Sequence, residues 1–236
     1  MRNLNPGMKR SLIGLGISMS LWIALGASRS WIIIPSCHQH PNLCSEANVL
    51  SIDRYSLGVE HLEADTLSTF TQNLSGFLGF LVPSTWTLAG WIRRRFSKQI
   101  AWRRILGDLL LFMQASCWNG VGIEFFHLIS QRPRPFVYSN PSVRGLTVAS
   151  YTSFYSGHTS FVACMQVLLC WVLWERKMPP GLLLFFGLLG EGLLLATASL
   201  RLLAGKHFLT DVLVGACLGT CIAWILGRTQ RFFQLV

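Results

Sequence analysis

Three short polar segments interrupt an otherwise apolar chain: His127-Leu-Ile-Ser-Gln-Arg132-Pro-Arg134-Pro135, then Ser156-Gly157-His158, then Arg201 followed by His207 and Asp211. Guanidiniums grip anionic oxygens through paired N–H donors. A glycine-containing turn that opens a helix offers unpaired backbone N–H groups to an anion. An imidazole oriented by a carboxylate is a nucleophile or a base. Together these are the parts that phosphoryl transfer without a metal requires.

His207 and Asp211 are four residues apart at the mouth of an apolar run, so on a helix they share a face and the carboxylate can hold one ring nitrogen as N–H. His207 becomes the candidate nucleophile. Arg201 ends the preceding run and is placed to bind two phosphate oxygens, with Arg134 as a second fork on a segment stiffened by prolines. Ser156 is placed to cap the helix and donate to a phosphate oxygen, Gly157 lets backbone approach closely, and His158 projects from the first turn. Each segment alone has a plainer explanation. Arg201 could snorkel, Arg132 and Arg134 could touch lipid head groups, His207–Asp211 could be a structural pair, and Ser156 to His158 an ordinary helix start.

The elements that must position these residues are apolar helices. With 51% hydrophobic and 13% charged residues and a mean hydropathy of +0.45, the chain is too apolar for an average soluble domain. Its 236 residues suit a single integral-membrane domain, 1–236. Runs long enough for a hydrocarbon core of roughly 30 Å fall at about 11–34, 67–92, 105–129, 158–174, 181–200 and 209–227. The expected fold is all-α with six transmembrane helices. The first run also has the basic start of a signal peptide, with Leu25-Gly-Ala-Ser28 as a small-residue site, but its removal would leave an odd number of spans, so it is read as a helix.

A net charge of +10 raises nucleic acid as a partner, and its distribution argues against that. Arg2, Lys9 and Arg10 precede the first run; Arg93, Arg94, Arg95, Lys98, Arg103 and Arg104 fill the second gap; Arg176 and Lys177 fill the fourth; Arg228 and Arg231 follow the last. Basic residues in alternate gaps mark the cytoplasmic side, which places both termini inside and the loops 35–66, 130–157 and 201–206 outside. All three chemical segments fall on that outer, periplasm-like side, in what is expected to be a bacterial inner membrane. Trp31, Trp91, Trp102 and Trp174 sit where interfacial anchors would, or simply pack.

The first outer loop contains Cys37-His38-Gln-His40-Pro-Asn-Leu-Cys44. An oxidising compartment favours a disulfide, free thiols come next, and a metal site using His38 and His40 comes last because the spacing matches no standard zinc pattern. The five remaining cysteines lie inside apolar runs and read as small packing groups. The stretch 46–65 holds five of the ten acids and reads either as an amphipathic surface helix, with Ile52, Tyr55, Leu57, Val59 and Leu62 toward lipid, or as a solvated connecting helix.

Taken in order, the three segments resemble the type 2 phosphatidic acid phosphatase superfamily, whose signature reads Lys-x6-Arg-Pro, Pro-Ser-Gly-His and Ser-Arg-x5-His-x3-Asp. Arg134-Pro135 match the first block, Ser156-Gly157-His158 the second, and Arg201, His207 and Asp211 the third, with both internal spacings kept. His127 stands where that signature has Lys, Tyr155 replaces its Pro and Leu200 its Ser. By the resemblance, His207 attacks phosphorus to form a phosphohistidine while Asp211 holds its ring. His158 protonates the leaving alkoxide and later activates water. Arg134, Arg201, Ser156, Gly157 and His127 stabilise the phosphate oxygens, and no metal or cofactor is implied.

Because a histidine supplies less charge than lysine near neutral pH, His127 implies weaker activity or a preference for mild acid. Glu124, one turn before it, is placed to orient or charge it. Glu191 and Asp108, also within apolar runs, read as structural hydrogen-bonding groups. A site at the outer boundary of the bilayer favours a lipid phosphate as substrate. The resemblance offers lipid A, undecaprenyl diphosphate, phosphatidylglycerol phosphate and phosphatidic acid, among which the sequence does not choose. The alternatives are a lipid phosphotransferase built on the same residues and a catalytically silent lipid-binding protein.

Overall fold

The computed structural model describes residues 6–234, so that Arg2 lies outside the described residues, as does the side chain of Arg231. Six long helices carry the fold: α1 (Pro6–Ile32), α2 (Leu62–Ile92), α3 (Lys98–Ser130), α4 (Gly157–Glu175), α5 (Pro180–Leu203) and α6 (Leu209–Gln234). No strand occurs among the described residues.

All helices except α2 are long and apolar enough to cross a membrane. α2, at 31 residues, is long enough, but Thr69, Thr71, Gln72, Asn73 and a run of further hydroxyls lower its apolarity. Those groups are satisfied inside the bundle: Thr71 Oγ1 lies 2.7 Å from Thr197 Oγ1, and the Thr87 hydroxyl donates to the Pro83 carbonyl one turn back at 2.8 Å. Trp31, Trp102 and Trp174 are more than half exposed and Trp91 rather more than a third, as anchors on an outer surface would be.

α4 is the centre. It packs on α2, α3, α5 and α6, while α1 lies against α3. Val162, Cys164, Leu168 and Leu173 of α4 are completely buried, so this helix is apolar all round, as a central helix must be. The α4–α6 seam is the tightest: a Cβ at Gly215 would meet the Ser156 carbonyl oxygen at 2.7 Å, and one at Gly219 would meet that of Ser160 at 2.0 Å. Two glycines one turn apart thus let backbone meet backbone, the way small residues join helices where apolar burial gives no net drive. That approach fixes the start of α4 beside the start of α6.

The ends of the bundle differ sharply. Charged segments of the α3–α4 and α5–α6 connections meet at one end. At the other, Arg93, Arg95, Arg104, Arg176 and Lys177 line a cavity of about 250 Å³. Asp108 there is bidentate to Arg176 at 2.7 and 2.6 Å, and Glu191 accepts from Gln166 at 2.8 Å, the structural roles expected of both acids.

The loop between α1 and α2 overturns the expected surface helix. Residues 41–56 form three short 3-10 turns, and Gly58 at φ +75° turns the chain before α2. The physical reason is Asp53: it is fully buried and bonded to the start of α6, which no helix lying flat on the surface would allow. Cys37 and Cys44 are disulfide-bonded.

Gly219→Ala is expected to force α4 and α6 apart, at a cost of about 1–3 kcal/mol for overpacking a close seam. Thermal unfolding in detergent would show a clear drop in Tm, and an unchanged Tm would refute the seam.

Candidate active site

The turn from α5 to α6 passes through Gly205 at φ +63°, where an added Cβ would strike the Val59 carbonyl oxygen at 2.3 Å. This turn carries His207 inward, 3% exposed. Its Nδ1 lies 2.7 Å from the Ser153 carbonyl oxygen, and a carbonyl only accepts, so the hydrogen sits on Nδ1. Nε2 keeps its lone pair. Asp211 Oδ2 is 3.8 Å from Nδ1, near enough to act by charge and too far for a hydrogen bond. The direct His207–Asp211 contact expected from the sequence is therefore relayed: Ser153 donates its hydroxyl to Asp211 at 2.5 Å and its carbonyl fixes the imidazole. Burial pushes the His207 pKa down to about 4, against the pull of Asp211 and helped by Arg201 and Arg134.

Asp211 is itself held from three sides. Besides Ser153 it accepts from the Phe208 N–H at 2.9 Å and from Arg132 Nη1 at 2.6 Å. Arg132 also donates to Asp53 at 2.7 Å and lies over the Phe208 ring, 4.2 Å from its centroid. Asp53 completes the knot by accepting the Thr210 N–H at 3.0 Å and the Thr210 hydroxyl at 2.7 Å, which caps the start of α6 from a distant loop. Arg132 is thus committed to carboxylates, and of the two forks in its segment only Arg134 faces elsewhere.

Arg134 donates through Nη2 to Thr152 at 3.0 Å, and its Nε is buried without a partner. Arg201, 2% exposed, uses Nη1 on Asp65 and, at 3.1 Å, on Ser68, and its Nε is likewise buried and unpartnered. His158 stands in the first turn of α4, with Nε2 3.4 Å from Thr69 Oγ1, and lies within electrostatic range of Arg201, His207, Asp65 and Arg134. Ser156 departs from expectation: its hydroxyl is fully buried and paired with Thr159 at 2.9 Å, leaving the first N–H groups of α4 uncapped. Gly157 is tight, since a Cβ there would meet Ile123 at 3.0 Å. Tyr155, where the signature has proline, packs edge-on against Phe126 and Phe154.

His127 is 5% exposed and lies within electrostatic range of His207 and Arg134, so the first segment does join the other two. Its partners come from an unexpected element. Arg29, in the last turn of α1, pairs with Glu124 through Nε and, at 2.6 Å, through Nη2, and the same Nη2 lies 3.2 Å from His127 Nδ1. A guanidinium has no acceptor, so Nδ1 accepts and the hydrogen is on Nε2. That Nε2 approaches the Tyr155 backbone but makes no well-formed hydrogen bond there. A neutral His127 of this kind removes the reason for expecting a preference for acid.

Sequence reasoning missed Arg29, Asp53, Asp65, Thr69 and Ser153. For Arg29 one signal existed: Glu124 in an apolar run needs a cation, and an arginine near the same end of the first run could supply it. For the others no local pattern exists. No curated protein and no solved structure matches the chain. A family model described as the PAP2 superfamily matches residues 107–234, more than half of the 236. The match starts in α3 ahead of His127 and runs through α6, so it takes in every segment of the site except those that α1, α2 and the loop between them contribute; the chain belongs to the PAP2 superfamily, whose members are phosphatases acting on phosphate esters.

Proposed function

We propose that this protein is an integral-membrane lipid phosphatase that hydrolyses a phosphomonoester or diphosphate through a phosphohistidine on His207, with the site at the outer face of six spanning helices and both termini in the cytoplasm. One observation carries the reading. An imidazole with its hydrogen pinned on Nδ1 and its lone pair on Nε2 stands beside two buried guanidiniums whose Nε donors have no partner. Leaving such donors unsatisfied costs roughly 1–3 kcal/mol each, a cost that phosphate oxygens would relieve.

The His207 Nε2 lone pair attacks phosphorus in line, the bond to the lipid oxygen breaks, and protonated His158 gives its proton to the leaving alkoxide. Water then replaces the alkoxide. His158 takes its proton, the oxygen attacks phosphorus, the P–N bond breaks, and His207 regains its lone pair. Through both steps Arg134, Arg201 and the free N–H groups at the start of α4 hold the equatorial oxygens. Ser153, Asp211, Arg132 and Asp53 keep the nucleophile in its reactive tautomer. A lipid is favoured over a soluble ester because the site lies at helix ends, at head-group depth, within a surface of exposed apolar side chains such as Phe70, Phe77 and Leu195. Lipid A, undecaprenyl diphosphate, phosphatidylglycerol phosphate and phosphatidic acid are the substrates to assay.

Phosphate release by the purified protein from a panel of these four lipids tests the reading. His207→Ala and His158→Ala should each abolish it with the fold intact, vanadate should inhibit, and EDTA should not. Full activity in His207→Ala would overturn the scheme. Asp53→Ala should lower kcat by about 10-fold or more by freeing Arg132 and Asp211, with KM little changed; wild-type kcat would remove Asp53 from the network. His207 should stay neutral from neutral pH down to about 4 and take a proton only below that, which an NMR titration of its assigned ring signals would show as a midpoint near 4; a midpoint near 6.5 would contradict its burial.

A further inference from the structure

Arg29 is the one cation near the site that belongs to α1, well outside the matched residues 107–234. An arginine in an apolar helix needs a partner, and Glu124 satisfies that need completely through two contacts. The ion pair alone does not account for the third contact. Arg29 Nη2 also donates to His127 Nδ1 at 3.2 Å, and this decides which nitrogen of His127 carries hydrogen. The hydrogen is driven to Nε2, which is buried and unpartnered like Arg134 Nε and Arg201 Nε. Of the six buried side-chain polar atoms left unpartnered among the described residues, three stand around His207, although buried polar groups are almost always paired.

We propose that Arg29 is a positioning residue of the phosphate pocket: held by Glu124, it fixes His127 as an Nε2–H donor toward a phosphate oxygen and places a permanent positive charge behind it. Charge at this corner of the pocket thus comes from α1, and the pocket is complete only when α1 is docked on α3. The inference rests on the phosphatase reading. Arg29 lies within electrostatic range of Arg134, so its charge reaches the same anion. His127 adds direction without charge. Arg29 adds charge without needing to touch the substrate.

The test compares wild type with Arg29→Ala/Glu124→Gln, which removes both members of the ion pair and leaves no unpaired acid, with Arg29→Lys, and with Arg29→Ala/His127→Lys, which returns a cation to the corner. Two readouts are taken on detergent-purified protein: steady-state phosphate release from the lipid that wild type cleaves best, and vanadate binding followed as a thermal shift. Arg29→Ala/Glu124→Gln should raise KM and weaken vanadate binding by about 10-fold or more, the loss expected when the His127 N–H loses its fixed direction and a nearby positive charge is removed. Arg29→Lys should recover part of this, and Arg29→Ala/His127→Lys most of it. A purely structural ion pair predicts otherwise: Arg29→Ala/Glu124→Gln would lower Tm and leave KM and vanadate affinity at wild-type values, and His127→Lys would rescue nothing. Either result overturns the proposal.

Loss of the hydrolase activity and loss of the Arg29 role give different results. If wild type binds vanadate but cleaves no lipid, the hydrolase reading falls, and the binding comparison still decides the role of Arg29. If wild type neither binds vanadate nor releases phosphate, both fall. If it does both and the Arg29 variants match it, only the role of Arg29 falls.

Discussion

Buried donors need acceptors, and the site is organised by how that rule is met on one side and broken on the other. The carboxylates beneath the site are paired: Asp211 with Arg132, Ser153 and the Phe208 N–H, Asp53 with Arg132 and Thr210, Glu124 with Arg29, and Asp65 with Arg201. Arg134 Nε, Arg201 Nε and His127 Nε2 are left without partners. Three such donors cost several kcal/mol at roughly 1–3 kcal/mol each, a large share of a typical folding free energy of 5–15 kcal/mol. An exposed ion pair is worth too little to offset that, so the cost must be carried by helix packing and by the carboxylate network beneath.

The packing that carries it is the α4–α6 seam. Gly215 and Gly219 bring α6 against the Ser156 and Ser160 carbonyls, and the Ser156 N–H donates to the Asp211 carbonyl at 3.0 Å. The start of α4, with its uncapped N–H groups and His158, is therefore held by backbone against the helix that carries Asp211. The proposed nucleophile and general acid need their separation fixed to a fraction of an ångström, and backbone contact does this better than side chains of several rotatable bonds.

The sequence made the helices legible because their apolar runs are long: five of the six expected runs lie within observed helices, and the first, at about 11–34, overruns its helix by about two residues. It made the site legible where the chemistry is local. His207 and Asp211 are four residues apart, and Ser156-Gly157-His158 is contiguous. The rest was hidden by distance along the chain: Asp53 acts on Thr210 across 157 residues, Arg29 on Glu124 across 95, and Ser153 on His207 across 54. The stretch 46–65 misled because its acids and apolar residues suit a helix by composition, whereas one acid is bound to a partner from another helix. A buried tertiary contact outweighed local preference there.

A neutral imidazole is not by itself an unusual nucleophile; what this fold adds is a tautomer that cannot relax. Were Asp211 bonded directly to Nδ1, its full charge would favour the imidazolium and compete with attack through Nε2. With the Ser153 carbonyl as the immediate acceptor and the carboxylate 3.8 Å away, the ring is oriented by a neutral group. The charge remains close enough to stabilise the positive phosphoimidazole that the proposed attack would create. At His127 one guanidinium both sets the tautomer from behind and carries the charge, and the ring presents only a neutral N–H. In both places the ring itself stays neutral and the charge is kept apart from it, on a neighbouring group. A pocket that must bind an anion and release it again needs this separation, since full charges placed directly on both histidines would hold the product phosphate as firmly as the substrate.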